Sequence, residues 1–187
     1  MRSFLRRRST LWLVAAVVTL TVGIVLGVLA GDGDGSGGDA GAPTPTLAVE
    51  LPDLSPDRAR LEEADVVEVI DGDTIDVRAA GREERVRYYG VDTPERGDRC
   101  YGEATDRNEV LVGDHVLLLP DARERDRSGR LLRYVFTEGG VSVEARLIAE
   151  GLGRAWPEDG TYRDELLALE SEVRAIGVGC LWGGEGG

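Results

Sequence analysis

Three short segments concentrate the side chains that could do chemistry: Val69-Ile70-Asp71-Gly72-Asp73-Thr74, the stretch Val86 to Glu95, and Asp126-Arg127-Ser128-Gly129-Arg130. They hold the carboxylates Asp71, Asp73, Asp92 and Glu95 and the arginines Arg87 and Arg130. Carboxylate oxygens are hard donors of the kind calcium prefers. Guanidinium groups grip phosphate oxygens through two parallel hydrogen bonds. Hydrolysis of a phosphodiester needs both, since the phosphate charge must be neutralised and a water activated. Taken singly, each segment has an ordinary reading: a hairpin turn, a strand end or helix cap, and a solvated loop. Their occurrence together, in this order within one domain, is what changes the odds.

The elements that must position these residues are legible in outline. Val66 to Ile70 and Thr74 to Arg78 flank Asp71-Gly72, the sequence of a tight hairpin turn. Glu84 to Val91 reads as a third strand, and Val116 to Leu119 and Leu131 to Phe136 as two more joined by a charged loop. Gly102 to Val112 is a helix candidate. Val143, Leu147 and Ile148 share a helical face ending at Gly151, and Leu166, Leu169 and Val173 recur at helical spacing before Gly177. The pattern predicts an α+β fold, an OB-type five-stranded β-barrel with three helices. Asp73 leaves a hairpin and Asp92 ends a strand, so such a barrel can bring the two carboxylates together.

The folded domain is expected over 61–183, with 184–187 a disordered tail. Residues 31–60 form a linker; its Gly-, Asp-, Ser- and Pro-rich first half cannot bury a core and acts as a flexible tether. Residues 11–30 contain no charge and are long enough to cross a bilayer. Arginines in the basic segment 1–10 precede them and acids follow, which places the N-terminus in the cytoplasm and the domain outside. A signal peptide cleaved after Ala30 is the alternative to an anchor. Either way the segment exports the domain, as a single-pass membrane protein or as a secreted one.

The formal net charge is −13, and because residues 1–8 carry four arginines and no acid, the remainder carries −17. Charge alone argues against a nucleic-acid partner, since phosphate backbones meet basic surfaces. However, all 22 basic residues are arginine, the bidentate phosphate-binding cation. Histidine-pair hydrolase sites are excluded, because His115 is the one histidine and reads as a strand residue. No zinc-ligand spacing exists. Cys100 and Cys180 are expected to pair if close, as oxidising conditions outside the cell allow.

In this order and form the three segments resemble the staphylococcal nuclease family over Val66 to Trp182. Tyr101-Gly102-Glu103-Ala104, Val143 to Gly151 with Leu152, and Leu181-Trp182 extend the match. The resemblance implies an exported calcium-dependent endonuclease, a monomer acting on DNA or RNA. It implies Asp73, Asp92 and the Thr93 carbonyl as calcium ligands, with Asp71 supporting the metal's water shell. Glu95 would orient or deprotonate the attacking water, and Arg87 and Arg130 would clamp the phosphate. The chain departs from the family pattern in three places. Only five residues separate Glu95 from Tyr101, shortening a surface loop. Arg127-Ser128 stands where a Lys-Tyr pair is expected. The two tyrosines expected after Leu152 are absent, leaving Trp156 or Tyr162 to stack on a base. Two rival readings remain: a non-catalytic OB-fold binding module, and a calcium-stabilised surface domain. A non-catalytic binder has no need for the complete set Asp73, Arg87, Asp92, Glu95 and Arg130, and in a purely structural calcium site Arg87 and Arg130 would weaken metal binding.

Overall fold

The computed structural model describes residues 49 to 184. The hydrophobic segment 11–30, most of the tether and residues 185–187 lie outside the described residues. No helix among the described residues is long and apolar enough to cross a membrane.

Strands β1 (Glu62–Asp71), β2 (Thr74–Ala79) and β3 (Arg82–Tyr88) form an antiparallel meander. After the two-residue strand β4 (Val91–Asp92) and helix α1 (Tyr101–Val112), the chain adds β5 (His115–Arg125) and β6 (Leu131–Thr137). The five longer strands close into a barrel in the order β1-β2-β3-β6-β5. Closure uses β1 twice. Its C-terminal part pairs with β2 and its first residues, Glu62 to Asp65, pair with β5. Register shifts at Val66/Glu68 and Val69/Asp71 bend the strand between its two partners. The β3–β6 seam is parallel and three residues long, pairing Val86, Arg87 and Tyr88 with Leu131, Leu132 and Arg133. The expected five-stranded OB-type barrel is therefore the observed one.

Alternation along the strands fills the interior. Ile75, Val77 and Val86 from the meander join Leu118 and Val135 from the second half, all fully buried, while Phe136 on the opposite face of β6 packs against Tyr162. Helix α2 (Val143–Ala149) begins with Ser142 as a side-chain cap to Ala145 N–H and lies in the core on nearly every face. Helix α3 (Arg163–Ile176) packs Leu166, Leu169 and Val173 inward. The short strand β7 (Arg154–Ala155) pairs with β4, and a one-turn helix, α4 (Gly179–Trp182), ends the described chain.

The structure differs from the sequence reading in several places. The ordered chain begins before Leu61: Leu54 is buried, and Val49 and Leu51 pack against the core, so the linker is shorter than 31–60. The stretch expected as one strand over Glu84 to Val91 breaks at Gly90, whose φ of 107° few other residues adopt. The break turns the chain and gives Asp92 a strand of its own. β5 runs on to Arg125 through charged residues that sequence patterning assigned to a loop. His115 lies at the start of β5 with its Nδ1 2.9 Å from Asp65 on β1.

Candidate active site

The site is built where the first hairpin meets the chain after β4. Asp73 sits in the β1–β2 turn and is only 5% exposed. Asp71 accepts the Asp73 amide at 3.1 Å, which shapes the turn. Gly72 is required by close approach: a Cβ there would lie 2.6 Å from Thr93 Oγ1 and 2.9 Å from Ala104 Cβ. That absence of a side chain lets the segment after β4 fold directly onto the hairpin. Thr93 uses the proximity. Its amide and its hydroxyl both donate to Asp73 Oδ2, at 2.7 and 2.8 Å.

Arg87, projecting from β3, joins the two acids expected to bind metal. Its Nη1 is 3.0 Å from Asp73 Oδ2 and its Nη2 donates to Asp92 Oδ1 at 2.6 Å. Nη1 also donates to the Val91 carbonyl at 2.8 Å. Burial pushes the Asp73 carboxyl up to about 6, against the pull of Arg87 and the Thr93 amide. A buried carboxylate that one guanidinium only partly compensates favours a further cation, and an all-oxygen donor set suits a hard one. Asp73 and Asp92 are therefore the residues that could hold a hard cation here. Among the described residues no group of three or more His, Cys, Asp or Glu is placed to hold a metal. A calcium here would rest on these two carboxylates, on backbone oxygen such as that of Thr93, and on water.

Glu95 and Arg130 complete the setting. Arg87, Asp92, Glu95, Arg123, Arg130 and Trp156 line one cleft of about 240 Å³. Arg130 stands just before β6, the strand that pairs with β3 in the parallel seam, and lines the same cleft as Arg87. Asp126 holds it there. Its Oδ1 accepts the Ser128 and Arg130 amides and its Oδ2 accepts Arg130 Nε at 2.7 Å. Glu95 lies on an exposed loop whose amide donates to Asp98 at 3.2 Å. The set named from the sequence thus divides into two parts. Asp71, Asp73, Thr93, Arg87 and Asp92 form one hydrogen-bonded unit, and Glu95 and Arg130 face the same cleft from separate loops.

Several contributors carried no sequence signal of their own. Asn108, fully buried on α1, donates to the Asp71 carbonyl at 2.8 Å and accepts the Tyr88 hydroxyl at 2.7 Å. It ties the turn that bears Asp73 to the strand that bears Arg87. Its one sequence signature is a polar residue at the buried spacing of Ala104 and Val112. Asp159 gathers Arg123, Tyr89 and the Trp156 indole N–H, fixing one wall of the cleft. Of the two aromatics left for base stacking, Trp156 lines the cleft. Tyr162 does not. It packs edge-on against Tyr134, with ring centroids 4.8 Å apart, because α3 begins there and turns it into the core. Cys100 and Cys180 are joined by a disulfide, with Cα atoms 5.7 Å apart.

A closed five-stranded barrel of the OB type thus carries paired acids and three arginines in one cleft. Comparison with known proteins makes the family specific. Residues 85–183 match the family described as "Staphylococcal nuclease homologue". The chain is 40% identical over 117 residues to "Endonuclease YncB" of Bacillus subtilis, covering 57% of this chain and 55% of that protein. It is 37% identical to the "SPbeta prophage-derived endonuclease YokF" of the same organism over 67% of this chain and 43% of the relative. It is 39% identical to a "Thermonuclease" of Staphylococcus intermedius over 58% of this chain and 70% of the relative. The chain therefore spans about half the length of the two Bacillus relatives. It belongs to the staphylococcal nuclease family.

Proposed function

We propose that the chain is a calcium-dependent endonuclease that hydrolyses phosphodiester bonds in DNA or RNA. The observation that carries this reading is Arg87, which bridges Asp73 and Asp92 in the cleft that also holds Glu95 and Arg130. Family membership and relatives named as endonuclease and thermonuclease support it. Asp73, Asp92 and the Thr93 carbonyl would hold the ion, and calcium would supply charge to the phosphate. Asp71 supports that site by shaping the Asp73 turn. Arg87, on β3, and Arg130, in the loop before β6, would grip the phosphate through their planar guanidinium groups. Glu95 is the base that orients or deprotonates water. Trp156 offers an aromatic face at the cleft rim.

Two acids and one carbonyl leave much of the coordination to water, so calcium binding should be weak, roughly 10⁻⁴ to 10⁻³ M as in extracellular modules. The hydrophobic segment 11–30 and its flanking arginines support placement of a monomeric domain outside the cell, anchored or released. The test is release of acid-soluble nucleotides from DNA and RNA, with calcium, after chelation and after readdition. Activity that vanishes and returns is expected. Unchanged activity after exhaustive calcium removal would refute the metal assignment, and none under any condition would favour a binding module.

A further inference from the structure

We infer that the Cys100–Cys180 bridge and Arg99 form a strut that positions Glu95; the inference rests on the nuclease reading, in which Glu95 is the base. Residues 95 to 99 are exposed. The backbone bonds of this turn are local: Glu95 and Asp98 bond each other, and Tyr101 N–H donates to the Asp98 carbonyl. Beside the turn is an open cleft of about 350 Å³, lined by Thr93, Pro94, Glu95, Arg99, Cys100 and Leu181 among others. The turn therefore borders solvent and open space, and its two ends are what tie it to the rest of the domain.

The first end is held at Thr93, whose amide and hydroxyl are fixed on Asp73. The second end is held from the C-terminus. Cys100 caps α1 without a side-chain hydrogen bond, at a φ of 74° that a non-glycine residue rarely adopts. Its sulfur is engaged with Cys180 instead. Arg99 reaches the same C-terminal turn, donating to the carbonyls of Cys180 and Gly183. That turn is itself anchored. Leu181 N–H donates to the Gly151 carbonyl at 2.9 Å, and Trp182 lies between Arg154 and Arg174. Arg154 belongs to β7, the partner of the strand ending in Asp92. One end of the Glu95 turn thus follows β4 directly, and the other is bonded through the disulfide to α4, whose Trp182 contacts Arg154 of β7.

Misplacement of a catalytic group by about 1 Å can cost about a hundredfold in rate. The test measures kcat and KM on short single-stranded DNA, and calcium affinity, for the full chain in four forms. These are the oxidised wild type, the wild type reduced by dithiothreitol, oxidised E95Q and reduced E95Q. Reduction passes two electrons and two protons to the bridge, giving two thiols while the dithiol closes to its own disulfide. Loss of the bridge should lower wild-type kcat about tenfold or more, with KM and calcium affinity within about twofold. It should leave the residual rate of E95Q within about twofold, because the strut acts through Glu95. Arg99→Gln, which weakens the strut and keeps the bridge, should show a smaller effect of the same pattern. Circular dichroism confirms that each form is folded, and C100S/C180S repeats the comparison without reductant. An equal fall in both backgrounds, or an unchanged wild-type kcat, overturns the strut. A normal kcat in oxidised E95Q overturns the role of Glu95 itself, which separates the two failures.

Discussion

Glu144 gives a pH dependence whose size follows from the fold. It lies in the first turn of α2, fully buried, and its oxygens accept the Val135 amide at 2.7 Å and the Ser142 hydroxyl at 2.9 Å. Complete burial pushes its carboxyl from 4.5 up to about 8, despite those bonds. The folded protein therefore keeps a proton that the unfolded chain sheds. The contribution to stability is fully present below pH 4.5, is lost as pH rises towards 8, and is constant above that. At about 1.36 kcal/mol per pH unit the loss between pH 5 and pH 8 is about 3 to 4 kcal/mol. Glu144→Gln keeps the shape and cannot ionise: its amide oxygen can accept from Val135 while its NH2 faces the Ser142 oxygen. Other groups also titrate in this range, so the informative quantity is the difference between the two proteins. Urea unfolding of both at pH 5, 6, 7 and 8 should show the variant gaining about 3 to 4 kcal/mol on the wild type across the series. Parallel stability profiles would refute the reasoning and place an ordinary, ionised carboxylate in the core.

Glu95→Gln, Arg87→Ala and Arg130→Ala should each lower kcat about a hundredfold or more, as loss of one preorganised transition-state group does, read by steady-state kinetics at saturating calcium. Arg87→Ala should in addition alter calcium affinity, because it removes the guanidinium now bridging Asp73 and Asp92. Asn108→Ala leaves the Asp71 carbonyl and the Tyr88 hydroxyl without their buried partner and should cost about 1 to 3 kcal/mol in urea unfolding. Salt should act unusually. Each cleft-side arginine faces an acid, Arg87 with Asp92, Arg123 with Asp159 and Arg130 with Asp126, so kcat/KM on short single-stranded DNA should stay flat or rise from low to moderate salt at fixed saturating calcium. A steep fall from the lowest salt would show that the arginine groove dominates the field.

The barrel was readable because apolar alternation and turn residues marked most of its strands, and helical spacing marked α2 and α3. What sequence patterning missed were features owed to neighbours. The start of β1 and the end of β5 are charged because their outward faces meet solvent, and only pairing makes them strand. Leu54 gives no periodic signal, and its burial depends on the barrel it covers. At the site, residue types and order were enough to nominate Asp73, Arg87, Asp92, Glu95 and Arg130. The dual bond from Thr93 to Asp73, the clearance at Gly72 and the bridging by Asn108 are three-dimensional relations. Each joins positions far apart in the chain, and no local pattern encodes them. Tyr162 was nominated for stacking on proximity in sequence alone, and the start of α3 decides against it.

The parallel seam between β3 and β6 has a consequence for the order of assembly. The β1–β2–β3 meander is made of local hairpins and can form early, carrying Asp73 and Arg87 with it. Arg130 arrives only when β6 docks beside β3 across more than forty intervening residues. Non-local pairing of this kind closes late, after its loop entropy has been overcome. The cleft that brings Arg87 and Arg130 together is thus complete only after β6 has docked beside β3.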